Sequence, residues 1–479
     1  MSVSPRFADI TTIGVGGAIA HFVEAHSRDE FINAVCFADD EKLPLLVIGG
    51  GSNLLISDEN FPGVVVRDAR HAIHILGSDS GEANSDSHAA PALTIRADAG
   101  VRWDAFVAFA VSHGLSGIEA LSGIPGTVGA SVVQNIGAYG QEVSTSVKEV
   151  EVWDRKTTST KHLTASEMGF GYRMSALKES MYTAPAQPAD RYFPTPRYIV
   201  LSVTFTLSCQ SYGVVNYSQL ARALNSEVGA RMPIEQMRRM VLRVRAGKGM
   251  VEDATRYKNQ WMRTLLQPID VDDADNLLAS FKLSAQDYQS ANSPAAPQQS
   301  GVVSESAGHE SAVGEAREGA GREGAGREGV PADVKLEDVD EQLVVSGIPS
   351  SAEISGQPTY DRHSCGSFFM NPILSVEDAE KLPEDAPRFA ASMPGTEEEG
   401  VKTSAAWLID HAGFHKGFTG TAPQASLSTL HTLALTNRGE ASSEDVRSLA
   451  RIIQEGVQKR FGIWLVPEPV CVGVDLAQG

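Results

Sequence analysis

LPLLVIGGGSNLL, residues 43–55, is the stretch on which the fold turns. Its first six residues are apolar and partly β-branched, the pattern of a strand buried on both faces. Three glycines follow directly, Gly49, Gly50 and Gly51, and then Ser52 and Asn53. Consecutive glycines reach positive φ without strain and let backbone N–H groups close on an anion. A pyrophosphate is the natural occupant, although GGG taken alone reads equally as a tight strand-to-loop turn. A Rossmann site would need GxGxxG, and Leu54 and Ile19 stand where Gly49-x-Gly51 and Gly14-x-Gly16 would need the third glycine. Any dinucleotide held here is held in another way.

Further along, residues 123–140 read GIPGTVGASVVQNIGAYG, five glycines in eighteen residues with no charge. That composition makes a poor surface loop and a poor helix, but a good wall for a flat aromatic ligand; a purely structural glycine crossing is the bland alternative. Around these two stretches strands are predicted at 43–48, 63–66, 93–97, 147–153 and 198–207 from their branched content. Helices are predicted at 30–39, 103–113, 232–246, 403–412 and 443–461 from apolar periodicity. Interleaved runs of both kinds give an α/β or α+β protein.

At 479 residues the chain has room for two or three domains, and its net charge of −20 argues against a broad nucleic-acid surface. A phosphate-bearing small ligand remains compatible, because a local nest of amides acts independently of global charge. No apolar run approaches the ~18 residues of a membrane span, and residues 1–10, with Arg6 and Asp9, do not read as a secretory signal. The cysteines, Cys36, Cys209, Cys365 and Cys471, show no CxxC or metal-ligand spacing. No metal site and a reducing, cytoplasmic compartment are expected.

Residues 252–358 stand apart, with 19 acidic against 8 basic residues, a net of −11. Residues 285–335 hold too little apolar surface to offset the entropy of ordering and read as disordered. The flank 256–281 carries apolar residues at helical spacing and could add a short helix. Residues 77–91 read as a smaller polar insert, and 383–402, rich in Pro, Glu and Gly, as a third.

Taken in order, eight segments resemble one family, the UDP-N-acetylenolpyruvoylglucosamine reductases: TTIGVGG (11–17), GGGSNLL (49–55), GIPGTVGASVVQNIGAYG (123–140), FGYRMS (170–175), RAGKGM (245–250), GSFFMNP (366–372), AWLID (406–410) and LVPE (465–468). The resemblance implies an α+β protein. Its FAD-binding fold would be of the vanillyl-alcohol oxidase / p-cresol methylhydroxylase type, followed by a C-terminal α+β substrate-binding domain. The corresponding layout is a first FAD subdomain at 1–75 joined by a tail at about 464–479, and a second at 76–210. A substrate domain at 211–463 is interrupted by the acidic, largely disordered insert 252–358.

By that resemblance non-covalent FAD rests its pyrophosphate on Gly49, Gly50, Gly51, Ser52 and Asn53 and on Ile124, Pro125, Gly126, Thr127 and Gly129. Its ring system lies by residues 134–140, beside Asn135, Gly137 and Tyr139. Ser367 matches the proton donor, Arg173 the arginine that grips the substrate carboxylate, and Glu468 a carboxylate near the developing enol. Tyr212 matches a tyrosine on a mobile loop over the UDP-sugar; Arg245, Lys248 and Asn371 match diphosphate and sugar contacts. NADPH is the implied reductant and UDP-N-acetylglucosamine-enolpyruvate the implied substrate, with a monomer expected. Each residue also has an ordinary reading: a serine after glycine as a turn, an arginine at a strand end as a surface ion pair, Glu468 between prolines as a surface acid. Rival readings of the whole are an oxidase of the same fold acting on an alcohol, and a non-catalytic flavin-binding or scaffold protein. The chain departs from the family pattern in its long insert, in Pro469 and Val470 where a basic residue is expected, and in Cys365 where a small residue is usual and a buried thiol is the reading.

Overall fold

The computed structural model describes residues 4–78, 91–183, 195–272, 341–393, 395–396 and 398–477. All ten predicted strands and helices are present within a few residues of their expected bounds. The segments 285–335 and most of 77–91, read as disordered and as a polar insert, lie outside the described residues.

The strand Leu45–Ile48 lies in a parallel sheet, with Phe61–Asp68 in the centre and Ile19–Ala25 on the far edge. Parallel neighbours need a crossover, and the helix Arg28–Asp40 supplies it. Phe31, Ala34, Val35 and Ala38 recur at helical spacing and are buried on that sheet, and the Ser27 hydroxyl caps the helix by accepting from Glu30 N. After the glycine loop the chain forms Leu54–Ile56, which pairs in parallel with Val470–Val472 from the C-terminal tail.

A second sheet has six strands in the order Ser159–Thr164, Val147–Asp154, Tyr198–Ser208, Ala92–Asp98, Ala72–Ser78 and Asp270–Asp272. Its pairings are antiparallel except the last. The helix Trp103–Ser112 packs Phe106 on Phe205 with ring centroids 4.8 Å apart. The C-terminal part is built around the helix Ser443–Phe461. That helix opens with a Ser442–Asp445 capping box and ends at Gly462 in the left-handed region, φ +73.

Three expectations are corrected. Residues 252–358 are not an insert from end to end. Ala254–Lys258 and Gln260–Leu266 form 3₁₀ turns that bury Tyr257, Met262 and Leu265 against Phe7 and Ile10. Asp270–Asp272 adds an edge strand, and the returning helix Glu341–Ser346 packs on Trp103–Ser112. The apolar spacing read across 256–281 is thus realised in part, as short helical turns within an otherwise acidic segment. Residues 389–402 form a hairpin, Phe389–Ser392 with Glu399–Lys402, that also pairs with Ile373–Leu374. Residues 128–134, read as poor helix, are helical: Thr127 caps them, and Gly129 presses so close to Ala99 that an added Cβ would lie 2.7 Å from the alanine Cβ. Close packing there outweighs low intrinsic propensity.

Excising residues 285–335 is expected to leave the thermal midpoint close to the parent value. Replacing the whole of 252–358 by a short linker should cost several kcal/mol, because burying Tyr257, Met262 and Leu265 is worth ~1.5–3 kcal/mol each. Parallel thermal melts check the contrast; equal melting of the two deletions would show that the folded ends are dispensable.

Candidate active site

The two glycine stretches cross. An added Cβ at Gly50 would lie 2.9 Å from Gly126 Cα, and one at Gly49 2.6 Å from Thr127 Oγ1. Gly51 adopts φ +73 under the Ile10 carbonyl, where a Cβ would come within 1.8 Å of the oxygen. Side chains are excluded here by the chain itself. The Ser52 hydroxyl donates to Pro125 O at 3.1 Å and joins the loops. The second loop hangs from the end of the six-stranded sheet: Val128 N donates to Val101 O and Gly129 N to Ala99 O.

Ser52, Asn53 and Thr127 line a cleft of about 440 Å³. Their backbone N–H groups donate to no other described residue. Amides without a protein acceptor, on residues that line a cleft, need a ligand or water to supply one. Gly50, Gly51 and Gly126 do not line that cleft; they shape the crossing behind it, whereas Gly49, Ile124, Pro125, Gly129, Gly137 and Tyr139 do line it. Asn135 is fully buried and turned away. Its Nδ2 donates to Gly171 O at 2.8 Å and to Glu142 Oε2 at 3.2 Å, so it pins the neighbouring turn rather than touching a ligand.

That turn, closed by reciprocal Gly171–Met174 backbone bonds, carries Arg173 at φ +55. A left-handed non-glycine residue persists only where its surroundings enforce it. Besides Asn135, the Lys178 ammonium donates to Arg173 O at 3.3 Å. Arg173 Nε donates to Glu468 Oε1 at 2.9 Å and its Nη2 to Gly137 O at 2.7 Å. Glu468 N donates to Phe368 O and Met370 N to Val466 O, so the segments carrying Ser367 and Glu468 run side by side. Phe368 and Phe369 are wholly buried, edge to face at 5.1 Å, and anchor the half-buried Ser367 between them and the cleft. Among the described residues the Ser367 hydroxyl has no hydrogen-bond partner. The three expected catalytic residues are thus brought together at one end of the cleft.

Lys178 and Gln134 belong to the same cluster and were missed in the sequence. Lys178 Nζ donates to Gln134 Oε1 at 2.7 Å, which turns Gln134 Nε2 towards Glu468 Oε1 at 3.3 Å. Burial lowers the Lys178 pKa to about 8, opposed by the Glu468 carboxylate. In sequence Lys178 is one more lysine on a short helix, and nothing in its spacing marks it.

The cleft wall also carries cations. Arg245 is buried, with Nη2 donating to Met250 O at 2.7 Å and a buried Nε that has no partner. Lys248 Nζ donates to Gln219 Oε1 at 3.1 Å. His431 lines the cleft too, and burial, helped by Lys248, Lys416 and Arg245, pushes its pKa down to about 3, so it is neutral. Tyr212, in contrast, sits 46% exposed on the strand Tyr212–Val214 and does not line the cleft. Tyr217, equally exposed at 45%, does line it, as do Tyr139 and Tyr198, and its ring meets that of Tyr139 edge to face at 6.0 Å. The only sequence signal for it is an aromatic residue placed just before a helix, here Ser218–Ala223. Asn371 also stands off the cleft: its Oδ1 accepts Ala405 N at the start of Ala405–His411, and it hydrogen-bonds Tyr172. Cys365 is the buried thiol expected, donating to Leu54 O at 3.0 Å.

Among the described residues no His, Cys, Asp or Glu group could hold a metal ion, and no helix is long and apolar enough to cross a membrane. Residues 19–163 match the family model of an FAD-binding domain. Residues 357–472 match that of the UDP-N-acetylenolpyruvoylglucosamine reductase C-terminal domain. The chain is 36% identical to the UDP-N-acetylenolpyruvoylglucosamine reductase of Thermobifida fusca, covering 98% of this chain and 97% of the relative. It is 35% identical to that of Salinispora arenicola, with 97% and 94% covered. A solved reductase of that name from Thermus caldophilus aligns over 98% of this chain and 97% of its own, at 21% identity and a TM-score of 0.45. The unpaired amides at a glycine crossing too tight for any Cβ, opening on a ligand-sized cleft, fit the diphosphate of an FAD.

With its pKa lowered from the ordinary 10.5 to about 8, Lys178 binds its proton more weakly folded than unfolded. Folding bears that full cost below pH 8, and the cost fades as pH rises towards the ordinary lysine value. Relative to Lys178→Met, the parent is expected to gain stability across that window, by at most about 1.4 kcal/mol per pH unit. Urea denaturation of both at several pH values checks this; a pH-independent difference would show that the amine is not desolvated.

Proposed function

The chain belongs to the UDP-N-acetylenolpyruvoylglucosamine reductase family, FAD-dependent oxidoreductases of peptidoglycan precursor synthesis, and from that premise we propose that it reduces UDP-N-acetylglucosamine-enolpyruvate to UDP-N-acetylmuramate with NADPH as reductant. The observation that carries this reading is the meeting of Ser367, Glu468 and Arg173. It is supported by two backbone bonds and one 2.9 Å ion pair in the wall of the cleft that Arg245 and Lys248 also line.

Bound FAD supplies the chemistry that side chains lack, accepting hydride from NADPH and delivering it to one carbon of the enol ether. Hydride delivery there builds negative charge on the attached carboxylate, and the protein has to stabilise that charge and protonate the neighbouring carbon. Arg173 is suited to the first task. Glu468 and Gly137 O hold its guanidinium plane, and the remaining N–H groups are free to fork onto the substrate carboxylate. Ser367 is suited to the second: a hydroxyl without a protein partner, at the cleft wall, is ready to give its proton to the carbanionic carbon and recover one from solvent. Glu468, between Arg173 and Gln134, keeps the arginine oriented and sits where a proton on the enolised carboxylate would be shared.

Arg245 and Lys248, on the same cleft wall, provide the cations a diphosphate requires. Tyr217 takes the place given in sequence to Tyr212, able to fold over the sugar nucleotide from the start of its helix. An alcohol oxidase of the same fold would have no need of this cation pair. A monomeric, cytoplasmic enzyme is consistent with this reading.

Ser367→Ala is expected to leave reduction of the bound flavin by NADPH unchanged. Reoxidation by the enolpyruvyl substrate should fall roughly 10²–10⁴-fold, the usual worth of a positioned acid. Anaerobic stopped-flow absorbance separates the two half-reactions; equal losses in both would remove Ser367 from the proton-donating role.

A further inference from the structure

Residues 252–266 do more than fill space. One Arg256 Nη2 donates to two carbonyls, Gly50 O at 2.9 Å and Ile10 O at 3.1 Å. Ile10 O is the atom under which Gly51 is wedged, and Gly50 is the residue pressed on Gly126. Arg256 Nη1 is paired in turn with Glu252 Oε1. The other oxygen of that carboxylate accepts from Tyr257 Oη at 2.8 Å and from Arg102 Nη2 at 3.4 Å. Arg102 bridges Thr127 through the backbone, and its Nη1 donates to Gly347 O at 2.9 Å. One carboxylate therefore ties the first glycine loop, the second glycine loop and both folded ends of the acidic segment. Every charged member is largely buried, with side chains 10–15% exposed.

The consequence follows from peptide geometry. In a trans peptide the carbonyl of one residue and the N–H of the next point opposite ways. A guanidinium holding Gly50 O behind the crossing therefore fixes the 50–51 peptide plane, and with it the course of the chain into Ser52 and Asn53, which line the cleft. Three consecutive glycines flip their peptide planes at little steric cost, and a flipped plane would displace the two residues that follow. Nothing else among the described residues holds Gly50 O.

We propose that Arg256 is a positioning residue for FAD: with Glu252 and Arg102 it fixes the peptide planes and separation of the two loops that receive the cofactor diphosphate. The acidic segment thereby contributes its N-terminal end to cofactor retention. This rests on the placement of the diphosphate at the crossing, and the experiment separates the two.

Apoprotein is titrated with FAD and followed by quenching of flavin fluorescence, alongside melting of the apoprotein. Arg256→Met is expected to raise the FAD dissociation constant about 10–100-fold, the worth of hydrogen bonds from a charged donor, while the apoprotein still folds and melts cooperatively, at a lower midpoint because the buried Glu252 loses a partner. Arg256→Lys, whose ammonium can still donate to those carbonyls, should recover much of the affinity. Gly50→Val, which has no room beside Gly126, should abolish binding. If Gly50→Val loses FAD but Arg256→Met stays within about two-fold of the parent, the positioning role is overturned and the diphosphate placement stands. If Gly50→Val retains FAD, the placement itself falls and the proposal with it. A lowered apoprotein melt without a change in affinity would make Arg256 merely structural, which also overturns the proposal. Should Arg256→Met fail to fold, Glu252→Gln carries the test: weakened FAD binding supports the proposal, and parental affinity overturns it.

Discussion

The contact between Gly50 and Gly126, closer than any side chain would permit, is the constraint on which the remaining structure depends. It joins a parallel sheet to a six-stranded antiparallel one at a point where neither spares an atom, and amides of cleft-lining residues are left without a protein acceptor. The same contact organises the catalytic end at a distance. Val470 N donates to Asn53 O, so the C-terminal strand is stitched to the first glycine loop, and Glu468 stands two residues before that bond. Glu468 N then holds Phe368 O, next to Ser367. A short run of main-chain hydrogen bonds therefore connects the first glycine loop to the segments that carry Glu468 and Ser367, although these residues are hundreds of positions apart in sequence.

Electrostatics are local. A chain of net charge −20 still assembles Arg245, Lys248, Arg173 and a neutral His431 around one cleft, with Lys178 donating to Arg173 O from behind. Each buried cation has an acceptor close by: Glu468 and Gly137 O for Arg173, Gln134 for Lys178, Met250 O for Arg245. Such pairing limits the cost of desolvating charge. Among the described residues the Nε atoms of Arg245, Arg67 and Arg256 are buried without a partner.

Much of this was legible in the sequence, for physical reasons. Strands and helices whose faces are uniformly buried, such as Leu45–Ile48 and Arg28–Asp40, announce themselves by period. The glycine stretches do so because no other residue type could occupy them. What stayed hidden depends on direction. Asn135 and Asn371 sit beside the correct motifs, yet their side chains turn to backbone partners away from the cleft. Tyr212 and Tyr217 are five residues apart, and only the strand and helix geometry decides which of them lines the cleft. Lys178 is unremarkable until the helix Ala176–Thr183 buries it against Gln134. In the acidic segment the spacing across 256–281 pointed to a short helix, but nothing in it showed that Tyr257 and Met262 pack against the N-terminal core.

The most direct measurement of the whole account is the visible spectrum of the purified protein through one anaerobic cycle. The account expects bound oxidised flavin, bleached by NADPH and restored by UDP-N-acetylglucosamine-enolpyruvate in the absence of oxygen. Protein that is colourless and cannot be reconstituted with FAD, or reduced flavin that the enolpyruvyl sugar leaves bleached, would contradict it.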